Sequence, residues 1–364
     1  MSAPSYSFAA QTISAYGIAE TEWKIPSAET RAALVSAASA AGANGYVYVP
    51  AGTYSITSTL EISDSGQTWV LHPGAILKAS ATNITVLRIS AANVKFIGGT
   101  IDGSRTSRAR TPDSGAANSV VIQNVDGVVL RDVIVKDAAA SGISSNSGAV
   151  TLDRVKVNQS QDTAITVTAN LRNLTGVNIT GCTVDRTEYP LDADYEGGGI
   201  KVLAHQGSAT SGAYYSVSTA GVFTTYSNSG RTTLENHGLS VGDPVMFRTN
   251  SGTTYVPGRY YYVKTVPSAT TFTVSATSGG TGITSAIAGD GEAVWYLQTH
   301  VNISGNWIFQ SYSTTTSGEA SGNTGQECIV LQCTGLRQAT VSGNHTQGGS
   351  MGISAAQCWR VSIT

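Results

Sequence analysis

Acidic and aromatic side chains concentrate in one stretch of this sequence, residues 185–207, which reads DRTEYPLDADYEGGGIKVLAHQG. The concentration stands out because only 12% of the 364 residues are Asp, Glu, Lys or Arg. Glycoside hydrolysis requires two carboxyl groups, one a protonated acid and the other an ionised base or nucleophile. Glu196 with Asp162 is the preferred pair, and Asp194 is the alternate. The candidate catalytic carboxylates are therefore Asp162, Asp194, Glu196 and Glu327.

The same stretch offers groups that bind a sugar. The rings of Tyr189 and Tyr195 can stack on sugar rings, and three consecutive glycines let the backbone approach a ligand closely. Lys201 and His205 are further candidate binding residues. A lyase would instead use Lys201, His205 or Tyr195 as its base. The alternative interpretation is a solvated turn that merely carries acids, or a calcium-stabilised loop.

A second candidate lies in GTIDGSRTSRARTPDSG, residues 99–115. Here Asp102 stands beside Arg105, Arg108 and a further arginine, and arginine can pair with the carboxylate of an acidic sugar. The alternative is a surface loop at a wide turn. The five histidines do not fall at metal-ligand spacing, so we expect no metal and no cofactor. The four cysteines are expected to be free, buried thiols.

The segments around these residues predict how they are positioned. Five short apolar segments align on one isoleucine each, and an inward isoleucine requires that the next residue face outward. Carboxylates just ahead of these strands would lie on successive turns of a sheet, with strands about 4.8 Å apart. That spacing suits the roughly 5–9.5 Å between glycosidase carboxyl groups. The aligned isoleucines are Ile143, Ile165, Ile200, Ile329 and Ile353, and their outward neighbours are Ser144, Thr166, Lys201, Val330 and Ser354.

A repeat underlies this arrangement. From Val94 onward, apolar residues two apart precede a Gly or Asp, and another strand follows. The gaps between these positions are 34, 21, 28, 124 and 38 residues, a base period in the low twenties with insertions. Such units bury their apolar faces only by stacking, so the chain is predicted to be an all-β protein, a right-handed parallel β-helix. The aligned positions are Gly98, Asp132, Asp153, Gly181, Gly305 and Gly343.

The pattern divides the chain into four parts. Residues 1–44 hold a short helix that is capped by Ser27 and stops near Gly42. Residues 45–211 are the first part of the β-helix, and residues 298–364 are the second part. Residues 212–297 alternate aromatic and polar residues with hairpin-like turns, which predicts an inserted antiparallel β-module. Because the final strand pair is incomplete, we expect this chain to be part of a longer protein.

Charge and hydropathy exclude two classes of partner. A net charge of −2 imposes no basic face, which disfavours nucleic acid. No apolar run approaches the ~20 residues of a membrane helix. We therefore expect neither a nucleic-acid nor a membrane partner.

The stretch AALVSAASAAGANGYVYVPAGTYSITSTLEI, residues 32–62, resembles the entry of pectate-lyase-superfamily β-helices, especially bacteriophage tailspikes. There a short helix covers the first coil, and a strand leads into a turn like that of Pro50, Gly52 and Tyr54. The chain departs from the family at YGIAETEWKIPSAET, where many members carry the Asp-rich GDGxTDDT. HGLSVGDPVMF, near residue 240, resembles small modules of phage tail proteins.

The resemblance implies a function that the residues alone do not give. It implies a virion tail protein, extracellular and homotrimeric in its full-length form, that contacts other tail proteins and binds a bacterial surface polysaccharide. Such proteins often cleave the polysaccharide, and we expect a hydrolase more than a lyase. The alternatives are a non-catalytic receptor-binding or structural spike, and a free bacterial polysaccharide lyase or epimerase, because one fold hosts many functions.

Overall fold

The computed structural model describes residues 20–364 except 83, 105–117, 161, 169–175, 187–197, 205–213, 227–238, 248–254, 257–258, 285–288, 293, 297–298, 311–326, 334–337, 349–350 and 357–360. Within this part of the chain, the strands form three parallel sheets, A, B and C, and one antiparallel sheet, D. Each coil contributes one strand to sheet A, the next to sheet B and the next to sheet C. The protein is a right-handed parallel β-helix, as the repeat predicts.

The strands of sheet A contain the repeat found in the sequence. The six repeat segments fall on successive strands of this sheet, so their stacking order is confirmed. The strands in spatial order are β1 (Trp23–Lys24), β2 (Tyr46–Val49), β5 (Thr68–Leu71), β8 (Lys95–Ile97), β11 (Val128–Arg131), β14 (Ala149–Asp153), β17 (Gly176–Thr180), β27 (Thr299–Ser304), β30 (Gln338–Ser342) and β33 (Val361–Ile363).

Sheets B and C complete each coil. Sheet B contains β3 (Gly52–Ile56), β6 (Ala75–Ala79), β9 (Thr100–Asp102), β12 (Ile134–Lys136), β15 (Lys156–Asn158), β18 (Thr183–Arg186), β28 (Trp307–Gln310) and β31 (His345–Gln347). Sheet C contains β4 (Leu60–Ile62), β7 (Leu87–Ile89), β10 (Val120–Ile122), β13 (Ile143–Ser145), β16 (Ile165–Thr168), β19 (Ile200–Ala204), β29 (Glu327–Cys333) and β32 (Met351–Ala356).

The inward side chains of the three sheets form one continuous apolar core. In-register pairing places like residues above one another, and Trp69 stacks on Phe96 with ring centroids 6.1 Å apart. Stacking buries apolar faces that a single coil would leave in water. The inward column of sheet A runs through Val47, Trp69, Phe96, Leu130, Leu152, Ile179, Ile303, Val341 and Ile363.

A short helix, α1 (Arg31–Ala41), follows a 3-10 turn (Glu20–Glu22) and lies against the first coil. Its buried face, including Leu34, joins the solenoid core. The predicted N-cap at Ser27 is wrong. The cap is Thr30, whose hydroxyl accepts a hydrogen bond from the Ala33 N–H at 3.2 Å. The predicted stop at Gly42 is confirmed by its φ of 63°.

The corner between sheets A and B repeats one backbone conformation. In six successive coils the residue that follows the sheet A strand at this corner has a left-handed φ between 52° and 76°. The sequence alignment is wrong by one position in one coil, because Arg154 rather than Asp153 occupies the corner. Asp153 instead ends β14 and pairs with Arg131. The corner residues are Gly98, Asp132, Arg154, Gly181, Gly305 and Gly343.

Asparagine side chains support two of these corners. Asn306, which follows Gly305, is fully buried. Its side-chain oxygen accepts a hydrogen bond from the Cys182 N–H at 2.8 Å, and its amide nitrogen donates to the Ile179 carbonyl at 3.0 Å. Asn344, one coil further, accepts a hydrogen bond from the Asn306 amide at 2.9 Å. This ladder satisfies backbone groups that the corner would otherwise leave without partners.

Sheet D follows β19 in the chain and precedes β27. Its core is aromatic, and Phe223 stacks on both Phe247 and Phe272 with centroids 4.7 and 5.1 Å away. The antiparallel pairing agrees with the hairpin pattern of the sequence, while the boundaries 212–297 stay a prediction. In spatial order the strands are β25 (Gly289–Glu292), β20 (Tyr214–Val217), β21 (Val222–Tyr226), β24 (Thr271–Ser275), β23 (Tyr260–Ser268), β22 (Pro244–Phe247) and β26 (Val294–Tyr296).

Candidate functional site

The outer face of sheet C carries the predicted binding residue Lys201. The register places Lys201 between Thr166 and Val330 on this face, as the isoleucine alignment predicts. The Lys201 side chain is half-buried. Five isoleucines that align in successive strands fix this register, and they are Ile143, Ile165, Ile200, Ile329 and Ile353.

Asp162 lies in the short turn between β15 and β16, at the corner where sheet B gives way to sheet C. Its carboxylate accepts a hydrogen bond from the Thr163 N–H at 2.7 Å and a longer one from the Ser141 hydroxyl at 3.4 Å. The side chain is half-buried. Asp162 therefore holds the turn in shape and still presents a carboxylate at this corner.

Other predicted site residues belong to β29 and to segments of the chain outside the described residues. Glu327 begins β29, where its backbone pairs with Met351. The segments 105–117 and 187–197 each join a strand of sheet B to the next strand of sheet C. The predicted residues that lie outside the described residues are Arg105, Arg108, Tyr189, Asp194, Tyr195, Glu196 and His205.

Asp102 opens a polar column on the outer face of sheet B. Its carboxylate is only 6% exposed, and it forms an ion pair with Lys136 on the next coil at 3.1 Å. It also accepts a hydrogen bond from the Ser104 N–H at 2.7 Å. The pairing compensates the burial of the Asp102 charge. The column continues with Asn158 and Asp185 on the following two coils.

Further along the same face, aromatic side chains replace the polar ones. Trp307 is 52% exposed, although a large apolar surface of this kind is usually buried. The His345 ring lies against it with centroids 4.6 Å apart, and Phe309 lies 6.2 Å from the indole on the same strand. We call Trp307, Phe309 and His345 the aromatic cluster. Sequence reasoning missed it, although the inward Ile308 in the segment NWIFQ indicates that both flanking aromatics face outward.

The polar column and the aromatic cluster are neighbours. In-register pairing places Thr183 beside Trp307, and Asp185 beside Phe309. On the other side of β18, Lys156 pairs with Thr183 and Asn158 pairs with Asp185. We call this three-strand area the sheet B slot, and it consists of Lys156, Asn158, Thr183, Asp185, Trp307 and Phe309.

The polar atoms of the slot suit a polar ligand. Lys156 is exposed and has no ion pair within the described residues. The side-chain oxygen of Asn158 is buried and has no hydrogen-bond partner in the described part of the chain. Aromatic faces together with a cation, a carboxylate and an amide are the groups that hold the apolar and hydroxyl-bearing surfaces of a sugar.

Another charged group lies at the corner between sheets A and B. Arg131 pairs with Asp153 at 2.8 Å, and Arg154 pairs with Asp132 at 2.8 Å and with Asp153 at 3.0 Å. The hydrogen bond and charge of Asp132 raise the pKa of Arg154. These charges satisfy one another across two coils, so they link coils at the surface and do not mark a ligand site.

Two cysteines, Cys182 and Cys328, are free and buried. Burial raises the pKa of the Cys182 thiol to about 12 and that of Cys328 to about 11. A thiol with so high a pKa carries almost no thiolate at pH 8, and the thiolate is the reactive form. Neither residue is suited to nucleophilic catalysis.

This burial predicts the response to a thiol reagent. In a variant with Cys333→Ser and Cys358→Ser, we expect dithionitrobenzoate at pH 8 to leave both remaining thiols unmodified over an hour. Both should react once guanidinium unfolds the chain, which serves as the internal control. Rapid modification of the native protein would show that one of these sites is open to solvent.

The described residues contain neither a metal-binding cluster nor a membrane-spanning helix. No group of three or more His, Cys, Asp or Glu side chains there is arranged to hold a metal ion. No described helix is both long enough and apolar enough to cross a membrane.

Comparison with known proteins shows no family for this chain. No family model matches the sequence, and no curated protein matches it. One similar solved structure is ORF18 of Geobacillus virus E2, with a TM-score of 0.42 and 10% sequence identity. The match covers 97% of this chain and 63% of that one, so this chain spans less than two thirds of its length. A likeness this distant carries no argument about activity, and the site itself must support any function.

Proposed function

We propose that the protein is a tailspike-type virion tail protein that binds a bacterial surface polysaccharide along the outer face of sheet B. The observation that carries the proposal is the exposed Trp307 in the aromatic cluster, whose Phe309 pairs with Asp185 on the neighbouring strand. The parallel β-helix and its helix-covered first coil are compatible with such a protein. In its full-length form we propose a homotrimer that contacts other tail proteins.

The face suits a chain of sugars better than a compact ligand. Its side chains repeat about every 4.8 Å from coil to coil, so contacts can extend along the solenoid. Sugar rings have apolar faces and hydroxyl rims, which correspond to the aromatic and polar columns that run side by side here. A free bacterial polysaccharide lyase or epimerase would use the same face, whereas a purely structural stalk would have no use for an exposed indole.

The test is a binding measurement with Trp307→Ala. Exposed tryptophans in binding sites are frequent hot spots, so we expect affinity for the recognised polysaccharide to fall at least about tenfold. The ligand would first be found by screening the wild-type protein against purified bacterial capsules and O-chains by biolayer interferometry. Trp307→Phe, which keeps an aromatic face, should retain most of the affinity.

A matched control is Val35→Ala, which shortens an exposed apolar side chain on α1 at the other end of the solenoid. This variant should bind as the wild type does. Unchanged affinity in Trp307→Ala would overturn the proposed binding face.

A second candidate function is depolymerisation of the same polysaccharide, through Glu196 with Asp162 and with Asp194 as the alternate. One contact favours it. The Gly198 N–H lies 3.4 Å from the hydroxyl of Thr163, the residue after Asp162. Glu196 lies outside the described residues, but only one residue separates it from Gly198 in the chain. Two carboxyl groups at one corner would suit hydrolysis.

Glu327 stays a further candidate, because its strand is the next after β19 in sheet C. If the product were unsaturated, the reaction would be an elimination, and Lys201, His205 or Tyr195 would be the base. Arg105, Arg108, Tyr189 and Asp102 stay proposed sugar contacts. If wild-type protein binds but does not shorten the polysaccharide, the protein is a non-catalytic receptor-binding spike.

A further inference from the structure

We infer that the sheet B slot holds a single acidic sugar residue, a uronate, with its ring against Trp307 and its carboxylate on Lys156. The inference rests on the proposed function and deepens it by naming the sugar class. Three features support it: the width of the slot, the single open face of the indole, and the opposite charges at the two ends of the slot.

The slot is one coil wide. Trp307 and Lys156 both pair with Thr183, from opposite sides of β18. Strands in a sheet lie about 4.8 Å apart, so the two walls are separated by roughly 9.6 Å. Thr183 is a short side chain, and it leaves the space between the taller walls open. The space accepts one sugar ring standing on edge in van der Waals contact with the indole, and the flexible Lys156 side chain can reach its other side.

Only one face of the indole is available to that ring. His345, on the coil beyond, covers the other face of Trp307 at 4.6 Å. Phe309 extends the aromatic wall along the strand. The open face of this wall therefore looks toward Thr183 and Asp185, and a sugar stacked on it stands over β18.

The two ends of the slot carry opposite charge. Lys156 and Thr183 lie at one end, and Asn158 and Asp185 lie two residues further along their strands. Two residues of a strand span about 6.6 Å, so the ends of the slot are about one sugar ring apart. Lys156 has no ion pair within the described residues. By contrast, Lys136 on the preceding coil is already paired with Asp102.

This polarity selects a uronate and fixes its orientation. A uronate has a carboxylate on one side of its ring and hydroxyl groups on the opposite side. The carboxylate accepts a charge-assisted hydrogen bond from the Lys156 ammonium group. The hydroxyl groups donate to the carboxylate of Asp185, which as an ionised group only accepts. A neutral sugar forms the hydrogen bonds to Asp185 but lacks the carboxylate that binds Lys156.

The test uses protein labelled with 5-fluorotryptophan and followed by fluorine NMR. The chain has five tryptophans, and Trp307→Phe assigns the resonance of Trp307. Sodium glucuronate and galacturonate should shift that resonance saturably, while the fully buried Trp69 should not respond. Glucose and galactose should bind at least about tenfold more weakly, the scale of one charge-assisted contact.

Two variants separate the contacts. Lys156→Gln should weaken uronate binding at least about tenfold and leave the neutral sugars unchanged. Asp185→Asn should weaken both classes. Lys95→Gln is the matched control, since Lys95 is also an exposed lysine on an outer strand face, but on sheet A. It should leave uronate binding unchanged.

The outcomes distinguish this inference from the proposed function. Equal uronate affinity in Lys156→Gln and wild type, or no response of Trp307 to either uronate, would overturn the slot. The proposed function would still stand if Trp307→Ala lost polysaccharide binding. The proposed function would fail if Trp307→Ala bound the polysaccharide as the wild type does. A Trp307 resonance that moves with protein concentration instead of sugar would overturn the slot, because it would show that a second copy of the chain covers the face.

Discussion

We expect Asp162→Asn and Glu196→Gln, each made alone, to reduce the release of reducing ends from the recognised polysaccharide at least about a hundredfold. Loss of a general acid or base usually costs a factor of this size. Asp162 suits the role of base or nucleophile, because its carboxylate accepts hydrogen bonds from Thr163 and Ser141. Glu196 would then be the acid that protonates the leaving oxygen. Reducing-end release and polysaccharide binding should be measured on the same preparations.

The amide at position 162 keeps one oxygen to accept the hydrogen bond from the Thr163 N–H. The turn should therefore survive, and binding should be unchanged. A matched control is Asp126→Asn, because the Asp126 carboxylate also caps a turn, accepting from the Gly148 N–H at 2.8 Å. Asp126 lies at the corner between sheets C and A, so its variant should cleave normally. Full activity in both Asp162→Asn and Glu196→Gln would refute the assignment.

The largest loss of stability is expected from Asn306→Ala. The substitution removes the side-chain partners of the Cys182 N–H and the Ile179 carbonyl, both of which are buried at the corner. A buried backbone group left without a partner costs about 1–3 kcal/mol, so the loss of two partners should lower the free energy of unfolding by about 2–6 kcal/mol. The Asn344 side chain also loses its contact with the Asn306 amide. Urea unfolding followed by far-ultraviolet circular dichroism measures the change.

The control for this prediction is Asn302→Ala. Asn302 lies on the outer face of β27 and is half-buried. Surface substitutions of this kind usually change stability by less than about 0.5 kcal/mol. Equal losses in the two variants would mean that the ladder does not support the corner.

Local pattern was enough to predict the stacking direction and the side of each strand that faces the core. An isoleucine flanked by polar residues can bury only one face, so Ile165 and Ile200 had to align and Lys201 had to face out. The pattern did not identify the corner residue on the coil that follows Asp132. Both Asp153 and Arg154 follow apolar residues of the strand, and the sequence alignment chose Asp153 because it was made on a Gly or Asp in each repeat. The pairing of β11 with β14 shows that Arg154 occupies the corner position.

The position of the helix N-cap likewise could not be predicted from the local sequence alone. Ser27 and Thr30 both precede the Ala-rich run, and both can cap a helix. Thr30 also forms a bridge with Ser55 on the first coil. That contact fixes where the helix begins, and it involves a residue 25 positions away in the chain.

The sequence by itself determined that the chain is a parallel solenoid, which residues point inward, and that an acidic segment follows a strand of sheet B. It did not determine which residues share the outer face of the coil at β18. Thr183 and Trp307 are 124 residues apart, and the module of sheet D stands between them in the chain. Coil stacking brings the two residues together, because β18 can bury its apolar face and pair its backbone only with a strand of the next coil. In this chain the next coil begins after the module of sheet D. Only the tertiary structure therefore placed the exposed indole of Trp307 beside the strand that carries Thr183 and Asp185, and with it the proposed sugar site.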